Sequence, residues 1–304
     1  MPTSHNTSKI MPHIKVIGPS SHIEKGRIND AVTWLENKGA TVSIADQVYY
    51  QDHQSAGTIQ DKLDALHNAF ADTSVDGIVT SCGGNQAIHL LPSIDYELIR
   101  ANPKPLFGFS DITILLNGIY AKTGLTTYHG PTMTQIVKPL PDNQLTQFWD
   151  VLNGQLNPIT WDSCTIVNEG TASGTLIGGN LSVFQAMIGT PYLPDTKQGP
   201  YILFFEDVGD ELSRYDRMLA HIRISGWMDN ASAIIFGDFH STDNASNIPF
   251  GHTINEIIAK NTNGLNIPII TNAPFGHRGN LWTLPVGKTT TLQVNNNIVN
   301  FKFS

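Results

Sequence analysis

Pro105-Leu106-Phe107-Gly108-Phe109-Ser110-Asp111-Ile112-Thr113-Ile114-Leu115-Leu116 is the stretch on which the fold turns. Pro105 to Phe109 is a short apolar run that reads as a buried strand, and Ile112, Leu115 and Ile119 then recur at helical spacing. A strand is therefore predicted to pass directly into a helix, with Ser110 on the turn between them. The same grammar runs upstream. Ile14, Val16 and Ile17 form a strand that leads into Pro19-Ser20-Ser21, and Ile28, Val32 and Leu35 lie on one helical face closed by Gly39. Thr41 to Ala45 is a second strand, Ile59, Leu63, Leu66 and Phe70 mark a second helix, and Gly77-Ile78-Val79-Thr80 is a buried strand ending at Cys82-Gly83-Gly84. Such alternation implies parallel strands with helical crossovers, an α/β domain of Rossmann or flavodoxin type. Ligands of these sheets bind beyond the carboxyl ends of the strands, so the Pro19-Ser20-Ser21, Gly83-Gly84 and Ser110 loops are expected to face one pocket.

Further along, the alternation fades between Lys138 and Gly174 around Pro139, Pro141 and Pro158. The expected division is a disordered tail over 1–12, an N-terminal α/β domain over 13–150, a connection over 151–173 and a second domain over 174–304. The second half offers strands at Cys164–Asn168, Tyr201–Phe205, Ala233–Phe236, Ile267–Thr271 and Thr289–Phe303, with helices near Leu181–Ile188 and Ser213–Ile224. It reads as a smaller, strand-rich α/β domain.

Composition narrows the function classes. The 304 residues are 40% hydrophobic and 14% charged, enough apolar material for two moderate cores. A formal charge of −8 without dense runs of Lys or Arg argues against a nucleic-acid groove or a patch for anionic membranes. Cys82 and Cys164 stand far apart and suggest neither a disulfide scaffold nor a cysteine zinc site, so a reducing cytoplasm is expected. Met1 to Pro12 lacks the apolar core of a secretory signal, and no apolar run reaches the roughly 18 to 20 residues of a membrane-spanning helix.

Three segments supply, in chain order, a serine, a carboxylate and a histidine: Gly108-Phe109-Ser110-Asp111-Ile112-Thr113, Phe205-Glu206-Asp207-Val208 and Pro274-Phe275-Gly276-His277. A serine hydroxyl needs an imidazole to take its proton, and the imidazole needs a carboxylate to fix its tautomer, so the trio suggests a serine hydrolase. Each member also has a plainer reading. Ser110 before a helix suits an N-cap, and Ile112 stands where the nucleophile-elbow pattern G-x-S-x-G has its second glycine. Glu206 suits a solvated strand end, and His277 suits a structural loop histidine. Gly83-Gly84 is either a tight turn or a source of N–H groups for an oxyanion. Leu176 to Ser182 lacks the phosphate-loop patterns and reads as a packed turn before a helix. His89, His129, His221, His240 and His252 form no short ligand array, so neither a metal nor another cofactor is expected. Two rivals remain: a thiol enzyme built on Cys82, and a non-enzymatic protein that captures small ligands in a cleft.

The segments together resemble the LD-carboxypeptidase family of serine peptidases, which includes muramoyl-tetrapeptide carboxypeptidases and microcin C immunity peptidases. The likeness begins at Pro19-Ser20-Ser21 and runs through Gly83-Gly84, Leu90-Leu91-Pro92, the Ser110 segment and Tyr128-His129-Gly130-Pro131. It resumes at Gly178-Gly179-Asn180-Leu181-Ser182, Gly189-Thr190-Pro191, the Glu206 segment, Asp216-Arg217-Met218-Leu219 and Pro274-Phe275-Gly276-His277. The resemblance implies Ser110 as nucleophile, Glu206 and His277 as its partners, and the backbone N–H groups of Gly84 and Asp111 as the oxyanion hole. It implies hydrolysis of an L,D-peptide bond with release of a terminal D-alanine from a murein tetrapeptide, and a homodimer. Cys82-Gly83-Gly84-Asn85 looks closer to the microcin-immunity branch, whose substrates are peptidyl nucleotides. A carboxypeptidase must hold a terminal carboxylate, for which Arg217 and Arg278 are the guanidinium candidates, with Asn85 as a further substrate-binding candidate.

Overall fold

In the computed structural model, residues 11–241 and 248–304 are described; the expected N-terminal tail lies outside them except for Met11 and Pro12. Among the described residues the strands are β1 (His13–Ile17), β2 (Thr41–Ile44), β3 (Gly77–Thr80), β4 (Leu106–Gly108), β5 (Thr127–His129), β6 (Ile159–Trp161) and β7 (Thr165–Asn168). They continue with β8 (Gly170–Asn180), β9 (Tyr201–Asp210), β10 (Ala231–Ser241), β11 (Ile269–Thr271), β12 (Leu284–Val286), β13 (Thr289–Asn295) and β14 (Ile298–Phe303). They build two sheets, in the orders β12-β5-β4-β3-β1-β2 and β6-β14-β13-β8-β9-β10-β11-β7.

The first sheet is parallel from β1 to β5, as the alternation of strands and helices requires. Its strands are buried on both faces because side chains alternate. Ile78 and Leu106 enter one core with the helices Ile59–Ala71 and Thr113–Thr123, while Val79 and Phe107 enter another with Asn29–Asn37 and Asp142–Leu152. The second sheet is mixed. β8, β9, β10 and β11 run parallel at its centre, with antiparallel strands on both sides.

Two polar devices join the sheets. The helix Thr113–Thr123 is buried along its first two turns, and its Asn117 acts like a strand neighbour, donating from Nδ2 to Gly178 O at 2.8 Å and accepting from Gly178 N at 3.4 Å. Thr113 Oγ1 accepts from Asn180 N at 3.0 Å beside it. On the far side, Gln144 accepts from Leu281 N at 2.6 Å, and Gln147 exchanges bonds of 3.0 and 2.9 Å with Thr283 N and O. The helix that follows β4 and the end of β8 are thus held against each other by buried hydrogen bonds, which cost more to break than surface ones.

Two expectations are corrected. Thr289 to Phe303 is a hairpin rather than one strand, because Asn296 and Asn297 adopt φ of 48° and 61°, the backbone of a tight two-residue turn. Leu176 to Asn180 is the end of β8 rather than a turn; Gly178 lies so near β9 that a Cβ would fall 1.9 Å from Phe204 O.

Candidate active site

Ser110 occupies a backbone conformation that its residue type avoids. Phe109 is extended, Ser110 has φ of 62°, and the chain then winds into the helix Thr113–Thr123. A left-handed non-glycine residue costs about 1 to 2 kcal/mol and persists only where its surroundings hold it. They do so here: the absent side chain of Gly108 leaves room for Ile112, whose Cγ2 would lie 2.2 Å from a Cβ at position 108. The isoleucine that broke the glycine pattern is what closes the turn. Ser110 does not cap the helix, since neither helical segment that follows it has a side-chain cap. Among the described residues its hydroxyl makes no hydrogen bond.

Glu206 and His277 meet on the second sheet. Glu206 is fully buried on β9, opposite Asn180 of β8, and its Oε2 accepts a 2.7 Å hydrogen bond from His277 Nδ1. A carboxylate can only accept, so Nδ1 holds the proton and Nε2 is left as an acceptor. His277 sits in a loop closed by the bridge between Phe275 and Leu281 and tied to β10 by the Asp238 N bond to Phe275 O at 2.8 Å. Gly276, with φ of 151°, allows that approach: a Cβ there would lie 2.6 Å from Asp238 Cβ. The imidazole packs on Phe109, the residue preceding Ser110, with centroids 4.3 Å apart. The Glu206–His277 pair therefore packs against the residue that precedes the strained serine, and among the described residues no hydrogen bond joins His277 to the Ser110 hydroxyl.

The glycine loop packs against Ser110. A Cβ on Gly83 would meet Ser110 Cβ at 2.7 Å, and one on Gly84, whose φ is 139°, would meet Ser21 Oγ at 1.9 Å. Among the described residues, neither Gly84 N–H nor Asp111 N–H donates to a protein acceptor. Asn85 is exposed next to them and donates from Nδ2 to Gln54 Oε1 at 2.9 Å. Cys82 is unsuited to the thiol chemistry considered above. Its Sγ–H donates to Ser21 O at 3.1 Å, and burial pushes the thiol up to about 11, so the nucleophilic thiolate is scarce at neutral pH.

The two arginines are placed differently. Arg278 follows His277, but its guanidinium forms two bonds of 3.1 and 3.3 Å to Asp238. Arg217 lies on the helix Leu212–Ile224 and lines a cavity of about 530 Å³ with Gln185, Arg214, Met218 and His221, a lining that includes none of Ser110, Glu206 or His277. Among the described residues no His, Cys, Asp or Glu cluster is arranged for a metal ion, and no helix is long and apolar enough to cross a membrane.

The sequence reading gives His129 no part in a ligand array and no chemical role. His129, at the end of β5, is fully buried between Phe109, Phe204 and Phe275, and neither ring nitrogen has a partner among the described residues. Burial, then the nearby His277, lower its pKa to about 3, so it is neutral in the folded state. The unfolded chain protonates this imidazole below about 6.5. More protons bound to the unfolded state means stability that falls with pH from about 6.5 down to 3, on the order of 2 kcal/mol lost by pH 5. Asp207 acts in the opposite sense: burial, then Glu206, raise its pKa to about 6, and protonation below that value favours the fold. Urea unfolding at pH 7 and pH 5 should show His129→Leu losing less stability on acidification than wild type. Identical pH slopes for the two proteins would contradict the buried neutral imidazole.

Comparison with known proteins agrees with this architecture. Residues 14–130 match the LD-carboxypeptidase N-terminal domain and residues 173–292 the LD-carboxypeptidase C-terminal domain, so the chain belongs to the LD-carboxypeptidase family of hydrolases. It is 34% identical over 237 residues to a probable murein peptide carboxypeptidase of Bacillus subtilis, covering 75% of this chain and 72% of that one. It is 27% identical over 308 residues to the microcin C7 self-immunity protein MccF of Escherichia coli, covering 91% and 88% of the two chains. Among solved structures, an MccF-like protein from Bacillus anthracis superposes with a TM-score of 0.83 at 30% identity, over 97% of each chain.

Proposed function

We propose that this protein is a serine carboxypeptidase that hydrolyses an L,D-peptide bond and releases a terminal D-alanine from a murein tetrapeptide. The observation that carries the reading is the buried 2.7 Å Glu206–His277 hydrogen bond, packed against the residue that precedes a serine held at φ of 62°. His277 Nε2 accepts the Ser110 proton as Ser110 Oγ attacks the carbonyl carbon. Negative charge then grows on the carbonyl oxygen, where the free N–H groups of Gly84 and Asp111 receive it. The imidazolium, steadied by Glu206, returns its proton to the leaving amine. Water repeats the cycle on the acyl-enzyme. No metal or other cofactor takes part. Of the substrate-binding candidates, Asn85 directly follows Gly84 and Arg278 directly follows His277, but Arg278 is already paired with Asp238. The reading carries with it a homodimer in the cytoplasm.

A second reading is favoured by Cys82-Gly83-Gly84-Asn85 and by the end-to-end likeness to an MccF-like protein. The same machinery would then cleave a peptidyl nucleotide joined through an acyl-sulfamoyl or phosphoramidate link. Side-by-side assays decide between them. Release of D-alanine from L-Ala-γ-D-Glu-diaminopimelate-D-Ala is the expected result; turnover of a peptidyl-sulfamoyl nucleotide with an inert tetrapeptide would overturn the first reading in favour of the second.

A further inference from the structure

The two proposed oxyanion donors sit on different turns, Gly84 on the loop after β3 and Asp111 on the turn after β4. We infer that the carboxylate of Asp111 is the positioning group that holds these turns in register, fixing the Gly84 N–H relative to the Asp111 N–H. The inference rests on the serine-hydrolase reading above.

The bonds converge on one oxygen. Asp111 is 6% exposed, and its Oδ2 accepts from Ala87 N at 3.0 Å and from Ser20 Oγ at 2.6 Å. Ser20 Oγ also lies 3.0 Å from Asn85 O, and Ser21 N donates to Gly83 O at 3.3 Å. The segment 83–87 is therefore gripped at both ends, directly through Ala87 and by way of the Ser20-Ser21 turn. It has no slack, because the missing side chains at Gly83 and Gly84 are the space that Ser110 and Ser21 fill. Gln86 adds a left-handed φ of 78°, a conformation that relaxes once the grip is released.

A buried carboxylate is a costly clamp unless its charge is answered. Lys62, 1% exposed, is a buried cation whose charge favours the Asp111 carboxylate, although the two form no ion pair among the described residues. Its Nζ donates to Ser55 Oγ at 2.7 Å, and Ala56 N beside it donates to Ser20 O at 3.0 Å. Burial raises the pKa of Asp111, while Ser20, Ala87, Lys62 and His89 oppose that rise. The lysine is thus bonded to the segment that, through Ala56 N, holds Ser20 O. Preorganised donors must hold position within about 0.5 Å, and losing one costs about 10²- to 10³-fold in turnover.

The test compares Asp111→Ala, Asp111→Asn, Ser20→Ala and Ser110→Ala by tetrapeptide kinetics. Inhibition is measured with a peptide boronic acid whose boron replaces the scissile carbonyl carbon of the residue that precedes D-alanine, and binding with a non-hydrolysable tetrapeptide. Asp111→Ala should lower kcat about 10²-fold, with KM within about threefold of wild type, and weaken the boronate by the same factor. Binding of the non-hydrolysable peptide should not change, since it develops no oxyanion. Asp111→Asn retains an acceptor oxygen and should recover at least about tenfold of the loss, and Ser20→Ala should lose about tenfold. If Asp111→Ala does not fold, Ser20→Ala and Asp111→Asn carry the comparison. Unchanged kcat in folded Asp111 and Ser20 variants, or equal weakening of the boronate and the non-hydrolysable peptide, would overturn the clamp. Full activity in Ser110→Ala would instead remove the parent reading.

Discussion

Ser110→Ala is expected to lose about 10⁴- to 10⁶-fold in kcat on the L,D-tetrapeptide while remaining folded, because an alanine leaves the imidazole with no proton to remove and the carbonyl with no attacking oxygen. The variant keeps the Glu206–His277 pair and the free N–H groups, so the residual rate reports what binding and the oxyanion donors achieve alone. A companion variant separates chemistry from strain. Ser110→Gly should be equally inactive yet more stable by about 1 kcal/mol, since glycine accepts the φ of 62° without steric cost. Calorimetry alongside the assay checks both. Ser110→Ala with wild-type turnover would show that the strained turn serves some other purpose.

Glu206→Gln should cost about 10³- to 10⁴-fold in kcat with little change in KM, for a different reason. The amide side chain can donate to Nδ1 as well as accept from it, so the imidazole loses the fixed tautomer that leaves Nε2 free to accept a proton, and the imidazolium loses its counter-charge. Stability should move the other way. Glu206 is completely buried, and its Oε1 has no hydrogen-bond partner among the described residues. Removing a buried charge with an unanswered oxygen should leave the melting temperature unchanged or raised. Lost activity with retained stability marks an acid buried for chemistry, whereas a lowered melting temperature with retained activity would mark a structural ion pair.

The strand-to-helix turn at Ser110 is legible in the sequence because local periodicity carries it: an apolar run, one polar turn, then isoleucines and leucines at helical spacing. The parallel order of β1 to β5 is legible for the same reason. Features made by distant segments are not. β12 crosses from the second half of the chain to pair antiparallel with β5, and its Pro285 argues against a strand unless the segment lies at a sheet edge, as it does. β8 carries Gly178 and Gly179, which read as a turn; in the fold they are the surface on which Phe204 and Thr113 pack closely. The helix cap first suggested for Ser110 is the commoner local outcome, and only the positive φ, set by Ile112 packing over Gly108, removes it. The surroundings of His129 and of the Asp111 carboxylate are not legible, since they come from elements far apart in the chain. Reading Arg217 for a substrate carboxylate rested on residue type alone, and its helix directs it into a separate cavity.

Activation of Ser110 by the His277–Glu206 pair is tested most directly by labelling the folded protein with a fluorophosphonate and mapping the adduct by mass spectrometry. One adduct is expected, on the peptide that contains Ser110; it should be absent from Ser110→Ala and form at least about 10²-fold more slowly in His277→Asn. An adduct on any other residue, or no adduct on protein that is cleaving the tetrapeptide, would contradict it.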